Sequence, residues 1–176
     1  MSRVLEERVR RILRAGGIEN AHQEARWIVA EAVARSDAGD VDGAESAAEG
    51  WAARRATGEP LQYVLGEAHF RHLKLEVGPG VFIPRPETES VAGRAIELLP
   101  QRGRALDLGT GSGAIALSLA TERPDAEVHA TEASAEALAW ARRNNAGTGE
   151  PLAGLWAGDL FAPLPEALRG ELDVVV

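Results

Sequence analysis

The chain contains no cysteine, which excludes a disulfide framework and a thiolate metal site. No apolar run approaches the ~18 residues that a membrane-spanning helix needs. The opening Met-Ser-Arg-Val-Leu-Glu-Glu-Arg carries acids where a secretory signal has an apolar stretch. These absences predict a cytoplasmic protein with no membrane partner. Positive charge is also short: 19 Lys and Arg stand against 27 Asp and Glu, a formal net charge of -8. Nucleic-acid affinity comes from neutralising phosphates, so no direct nucleic-acid partner is expected. There is no internal repeat and no low-complexity tract. His22, His69, His72 and His129 have no ligand-like spacing, and no metal site is expected. Ser112 in Gly-Ser-Gly lacks the spacing of a nucleophile elbow. What remains is a chain of 176 residues, 45% hydrophobic and 26% charged, enough for one good core or two modest ones.

The first third has helical periodicity. Ser2 can cap a helix with Val4, Leu5, Val9, Ile12 and Leu13 on one stripe, stopped by Gly16-Gly17. Asn20 opens a second, with Ala25, Ile28, Val29, Ala32 and Val33 inward, ending in Asp37-Ala38-Gly39-Asp40. Asp42 can cap a third, which stops at Gly58 ahead of Pro60. Trp27 and Trp51 are expected in the core of this small bundle. From Ala68 to Val77 the pattern alternates with one slip near His72. Gly78-Pro79-Gly80 reads as a turn and Val81-Phe82-Ile83 as a second strand, which predicts a β-hairpin. Glu87 to Leu99 then reads as a helix with Val91, Ala92, Ala95, Ile96 and Leu99 inward, and Pro86 suits its first turn.

After Pro100, strands and helices alternate, which predicts parallel βαβ units. Leu106-Asp-Leu-Gly-Thr-Gly-Ser-Gly-Ala-Ile-Ala116 joins a strand to a helix. Glycines there let the backbone turn tightly and let a ligand approach the helix amides. A dinucleotide turn wants G-x-G-x-x-G/A, which Gly109, Gly111 and Ala114 fit loosely. A nucleoside methyl-donor site wants a strand-end acid and G-x-G-x-G, which Asp107, Gly109, Gly111 and Gly113 fit fully. A pyrophosphate would be repelled by Asp107, whereas the sulfonium and ammonium of S-adenosylmethionine suit it. An NAD(P)-dependent oxidoreductase is the alternative. Glu132, ending the next strand, can accept both hydroxyls of a ribose. In Gly158-Asp159-Leu160, the Asp159 carboxylate can accept from an exocyclic amino group and Leu160 can pack on a base.

Three segments carry a family resemblance: Gly58-Glu-Pro-Leu-Gln-Tyr-Val-Leu-Gly66, Phe82-Ile-Pro-Arg-Pro-Glu-Thr-Glu89 and the Leu106–Ala116 turn. In order and spacing they resemble the release-factor glutamine methyltransferases. The resemblance implies an α/β protein with three parts. Residues 1–59 would form a helical domain that holds the substrate, 60–85 a linker with a hairpin, and 86–176 a Rossmann-like class I methyltransferase domain lacking its C-terminal part. It implies transfer of a methyl group from S-adenosylmethionine to the side-chain amide nitrogen of the glutamine in the Gly-Gly-Gln motif of class-1 peptide chain release factors.

By the same resemblance Asp107, Gly109, Thr110, Gly111, Ser112 and Gly113 form the donor loop. Glu132 holds the ribose, Asp159 and Leu160 flank the adenine, and Phe82, Pro84, Arg85, Pro86 and Glu87 border the donor pocket. The family's Asn-Pro-Pro-Tyr motif is expected a few residues beyond Leu172-Asp-Val-Val-Val176. Its Asn side chain and a Pro carbonyl orient the acceptor amide, so no catalytic residue is expected within the chain and its activity alone is expected to be weak or absent. Two further readings compete. One is a non-catalytic domain that binds the release factor through its helices; the other is an adenine amino-methyltransferase, which the acidic balance disfavours.

Overall fold

Small side chains decide how the first three helices meet. The computed structural model describes residues 2–37 and 39–176, without the side chain of Ser2. The expected Ser2 cap and the Ala38 of the expected stop therefore lie outside the described residues. Helices α1 (Ser2–Ala15), α2 (Ala21–Arg35) and α3 (Val41–Ala56) bury Leu5, Val9 and Leu13 against Ala25, Ile28, Val29, Ala32, Ala48 and Ala52. These positions recur every three or four residues, the period of one helix face. Gly16 lies so close to Ala56 that a Cβ there would meet it at 2.6 Å.

Three expectations in the bundle need correction. The cap of α3 is Asp40, whose carboxylate accepts from the Gly43 N–H at 2.9 Å, and Asp42 lies in the first turn. Trp27 is 53% exposed, because it falls off the stripe set by Ala21, Ala25, Ile28 and Ala32. Val4 and Val33, expected inward, are exposed as well. Trp51 does pack on the bundle core, with the Arg35 guanidinium 5.3 Å from its ring centroid. A short helix, α4 (Leu61–Leu65), ends at Gly66 in the left-handed conformation.

The chain divides into two compact units, Met1–Gly66 and Glu67–Val176, so α4 belongs to the first and the hairpin to the second. That hairpin pairs β1 (Glu67–Phe70) with β2 (Leu73–Glu76), antiparallel. It turns at Arg71-His72, and Val81–Ile83 form no strand, contrary to the expected pairing. Arg71 has φ +50, unusual for a non-glycine residue. Its guanidinium lies 2.6 and 2.7 Å from the Glu122 carboxylate oxygens, and its N–H donates to Glu89 Oε1 at 3.0 Å. Those acids hold a turn that carries no glycine.

Helix α5 (Thr88–Leu98) buries Ala92 and Ala95, with Leu99 just past its end, whereas Val91, expected inward, is exposed. Next come β3 (Arg104–Leu108), α6 (Ala114–Glu122), β4 (Glu127–Glu132), α7 (Ala135–Gly147), β5 (Gly154–Ala157), a single 3-10 turn (Glu166–Leu168) and β6 (Val174–Val175). The sheet order is β5-β4-β3-β6, and all three pairings are parallel. The chain steps outward from β3 to β5 and then returns to the other side of β3. The strand order thus reverses beside β3, the position at which open α/β sheets form ligand crevices. Ala105, Val128 and Ala130 form one core with Ala95, Leu99, Ala116, Leu119 and Ala120. Among the described residues no helix is long and apolar enough to cross a membrane.

A candidate donor site at the strand ends

The glycine turn leaves the C-terminal end of β3 and is hung on the neighbouring strand. Both the Gly109 and Thr110 N–H groups donate to the Thr131 carbonyl, at 2.9 and 3.0 Å. Gly109, Gly111 and Gly113 all have positive φ, +71, +59 and +88, the region that costs other residues about 1–2 kcal/mol. They differ in what surrounds them. A Cβ at Gly109 or Gly111 would meet nothing within 4 Å, whereas one at Gly113 would lie 2.9 Å from the Leu117 side chain. The first two glycines therefore border open space and the third permits close packing of α6.

Asp107 stands under the turn, 3% exposed. Its Oδ2 accepts from the Thr110 hydroxyl at 2.6 Å and from the Ala116 N–H at 3.1 Å. Burial pushes its pKa up to about 6, the nearby Glu132 charge adds to the rise, and the two hydrogen bonds partly offset it. Asp107 thus braces the turn from inside. Thr110 and Ser112 are also buried, so what these two residues can offer a ligand is backbone.

Glu132 joins the three strand ends. Its Oε2 accepts from the Gly111 N–H and its Oε1 from the Ser134 N–H, each at 2.8 Å, while its carbonyl accepts from Gly158 at 3.0 Å. The turn after β3, the start of α7 and the turn after β5 are thereby brought together. Ser134 caps α7, its hydroxyl accepting from the Ala137 N–H, in keeping with the helix start that Ser-Ala-Glu signals in the sequence. Next to Gly158, Asp159 is exposed. Leu160 is 55% exposed with φ +44, a strained placement for an apolar residue just past the end of β5. Phe161, also exposed, extends this apolar rim and was missed because its position within the turn gives no periodic signal.

Phe82, Pro84, Arg85, Pro86 and Glu87 lie in the irregular segment before α5. Phe82 is exposed with the Arg85 guanidinium 5.1 Å from its ring centroid, a cation–π contact. The segment leading to them is fixed on α7. The Trp140 indole N–H donates to the Pro79 carbonyl at 3.1 Å, and Gly78 lies against the same indole.

A cavity of about 630 Å³ lined by Arg102, Pro124, Asp125, Glu127, Glu150 and Pro151 among others sits at the opposite, N-terminal ends of the strands. In open α/β sheets ligands bind at the carboxyl ends, and two of the cavity's acids are engaged by arginines: Arg104 holds Glu127 and Arg123 holds Asp125. It has none of the features of the glycine turn.

A parallel sheet with a glycine turn after the strand at its switch point, and acids ending that strand and the next, defines a Rossmann-like class I methyltransferase domain. Residues 76–176 match the methyltransferase small domain, and the chain belongs to that family. Among curated proteins, the chain is 44% identical over 168 residues to a protein of Streptomyces coelicolor named release factor glutamine methyltransferase. Proteins of the same name from Bifidobacterium longum and Mycolicibacterium smegmatis are 39% and 52% identical, over 188 and 127 residues. These matches cover 91%, 93% and 70% of the chain, and 58%, 63% and 44% of the respective relatives. The chain thus spans roughly half the length of the curated relatives it matches. The comparisons lend no support to an oxidoreductase.

Proposed function

We propose that the chain binds S-adenosylmethionine at the C-terminal ends of β3, β4 and β5. We further propose that it supplies the donor side of methyl transfer to the glutamine side-chain nitrogen of the Gly-Gly-Gln motif in class-1 peptide chain release factors. The observation that carries the donor site is the Glu132 carboxylate, fixed by two backbone N–H groups beside the open faces of Gly109 and Gly111. Each carboxylate oxygen has a second acceptor position, so Glu132 can take the two ribose hydroxyls without releasing the turn. The glycines admit the nucleoside, Asp107 supplies negative potential under the turn, and Asp159 and Leu160 bound the base. Phe82, Pro84, Arg85, Pro86 and Glu87 form the rim of the pocket.

When bound, S-adenosylmethionine supplies a methyl group activated by its sulfonium. An amide nitrogen is a weak nucleophile because its lone pair is delocalised into the carbonyl, so the reaction depends on orientation of the acceptor. Residues 1–176 contain no Asn-Pro-Pro-Tyr, and the role proposed for them is the donor side of the transfer. The helical residues 1–59 hold the release factor, and the setting is the cytoplasm, where translation ends. The names of the relatives support this substrate.

Isothermal titration of the chain with S-adenosylmethionine tests the donor site. The parent binds, Glu132→Ala loses on the order of a hundredfold in affinity, for two charge-assisted hydrogen bonds removed, and Gly111→Arg abolishes binding by filling the open face. Variants that bind as tightly as the parent overturn the assignment.

A further inference from the structure

Asn144 lies on the last turns of α7 among polar residues, yet it is only 7% exposed. Its Oδ1 accepts from the Glu76 N–H at 2.7 Å. Its Nδ2 donates to the Glu76 carbonyl at 3.0 Å and to the Ser112 carbonyl at 2.8 Å. One N–H donor and two carbonyl acceptors admit a single orientation of the amide. The carboxamide pairs with Glu76 as a strand residue would, and its remaining hydrogen reaches into the glycine turn.

The turn is therefore gripped at two successive residues by groups on either side of one helix start. Glu132, tied to the N-terminus of α7, holds the Gly111 N–H, and Asn144, further along α7, holds the Ser112 carbonyl. Three residues with positive φ cost backbone energy to hold in place, and a site built on them gains affinity when that cost is met before the ligand arrives. The Ser112 carbonyl has no other hydrogen-bond donor so placed among the described contacts, and leaving it buried and unmet costs more than the bond itself contributes.

We propose that Asn144 is a positioning residue for the donor site: it fixes the peptide between Ser112 and Gly113 so that the Gly109–Gly113 turn is already in its binding shape. This rests on the reading that the turn binds S-adenosylmethionine. The experiment titrates the full chain with S-adenosylmethionine for the parent, Glu132→Ala, Asn144→Ala, Asn144→Asp and Leu99→Ala. The last removes a buried side chain near the opposite ends of the strands and controls for general loss of stability.

Asn144→Ala weakens donor binding about tenfold, the equivalent of one or two hydrogen bonds. Asn144→Asp weakens it further at pH 8, because a carboxylate then faces two carbonyls. Its deficit relative to the parent shrinks at pH 5, where a protonated acid can donate again. Leu99→Ala lowers the melting temperature but stays within about twofold of the parent in affinity. Parent-like affinity in both Asn144 variants, with Glu132→Ala defective, overturns the positioning role and leaves the donor site standing. A parent that binds no donor overturns the reading beneath it. Asn144 variants that fail to fold while Leu99→Ala folds also overturn the proposal, since Asn144 would then serve the fold alone.

Discussion

At the N-terminal ends of β3 and β4, acids meet arginines. Arg104 pairs with Glu127 and Glu171 at 2.9 and 3.2 Å, its N–H bonds Asp173, and Arg123 pairs with Asp125. At the C-terminal ends of the same strands, Asp107 and Glu132 take their hydrogen bonds from a hydroxyl and backbone N–H groups. The first arrangement cancels charge between exposed side chains. The second leaves the Glu132 charge close enough to raise the cost of ionising buried Asp107, a cost that a cationic ligand relieves. The charge left without a cationic partner lies at the strand ends proposed to bind the donor.

The largest effect falls on folding. Gly113→Val combines a β-branched side chain at φ +88 with a Cβ 2.9 Å from Leu117. Strain of about 1–2 kcal/mol adds to overpacking of about 1–3 kcal/mol, and thermal unfolding followed by circular dichroism reads a large loss. Gly109→Ala meets no neighbour within 4 Å and pays the strain alone. Equal losses from the two would erase the distinction between a packing glycine and a ligand-facing one.

Asp107 gives the next effect, and its sign is opposite to that of a paired carboxylate. Its folded pKa of about 6 lies above the ordinary 3.8. Between these values the folded state keeps a proton that the unfolded state has lost. Stability from this group therefore falls as pH rises from about 4 to 6, by about 3 kcal/mol in all, and is level above. Carboxylates held low by arginines, such as Glu122 and Asp125, act in the opposite direction below pH 4.5. The clean measurement is consequently the stability difference between the parent and Asp107→Asn: it moves against the parent across that window. If the donor's cation relieves the buried charge, S-adenosylmethionine affinity of the parent tightens about tenfold from pH 5 to 7, and the variant shows no such trend. A pH-independent difference in stability would place the Asp107 carboxyl in an ordinary environment.

Much of this end of the sheet could be read from residue order, because glycines spaced by two and acids at strand ends are local signals. The strand–helix alternation from Ala105 onward, the Gly109–Gly113 turn and Glu132 were of this kind. Asn144 was not: Arg142-Arg143-Asn144-Asn145 reads as a solvated helix end, and its two backbone partners are far away in the chain. The hairpin misled for a related reason. Gly78-Pro79-Gly80 carries the stronger turn signal, but those glycines accommodate Trp140 and Glu136 of α7. The actual reversal at Arg71-His72 is paid for by Glu89 and Glu122, acids that no local pattern connects to it. Trp27 failed on one position of helical phase.

The smallest effect is at the neutralised end. Arg104→Gln removes the pairs to Glu127 and Glu171 while leaving the backbone N–H that Asp173 accepts. Both partners are substantially exposed, and such pairs contribute little because solvent screens them. The variant keeps the parent's donor affinity within about twofold, since ion pairs at this distance from the glycine turn act independently of it. Its slightly lower melting temperature converges on the parent's in high salt, where the parent's own pairs are screened. The partner histidine sharpens the test: His129, buried against the Trp156 ring at 5.2 Å, has its pKa lowered by burial, and the Glu127 charge works against that shift. Freeing Glu127 from Arg104 leaves that carboxylate to His129 at 3.0 Å, so the imidazole pKa rises in the variant, as NMR titration of its ring protons can follow. A change in donor affinity that tracks this titration would connect the two ends of the strands, and the contrast between a charge-cancelled end and a ligand-ready end would no longer describe two separate functions.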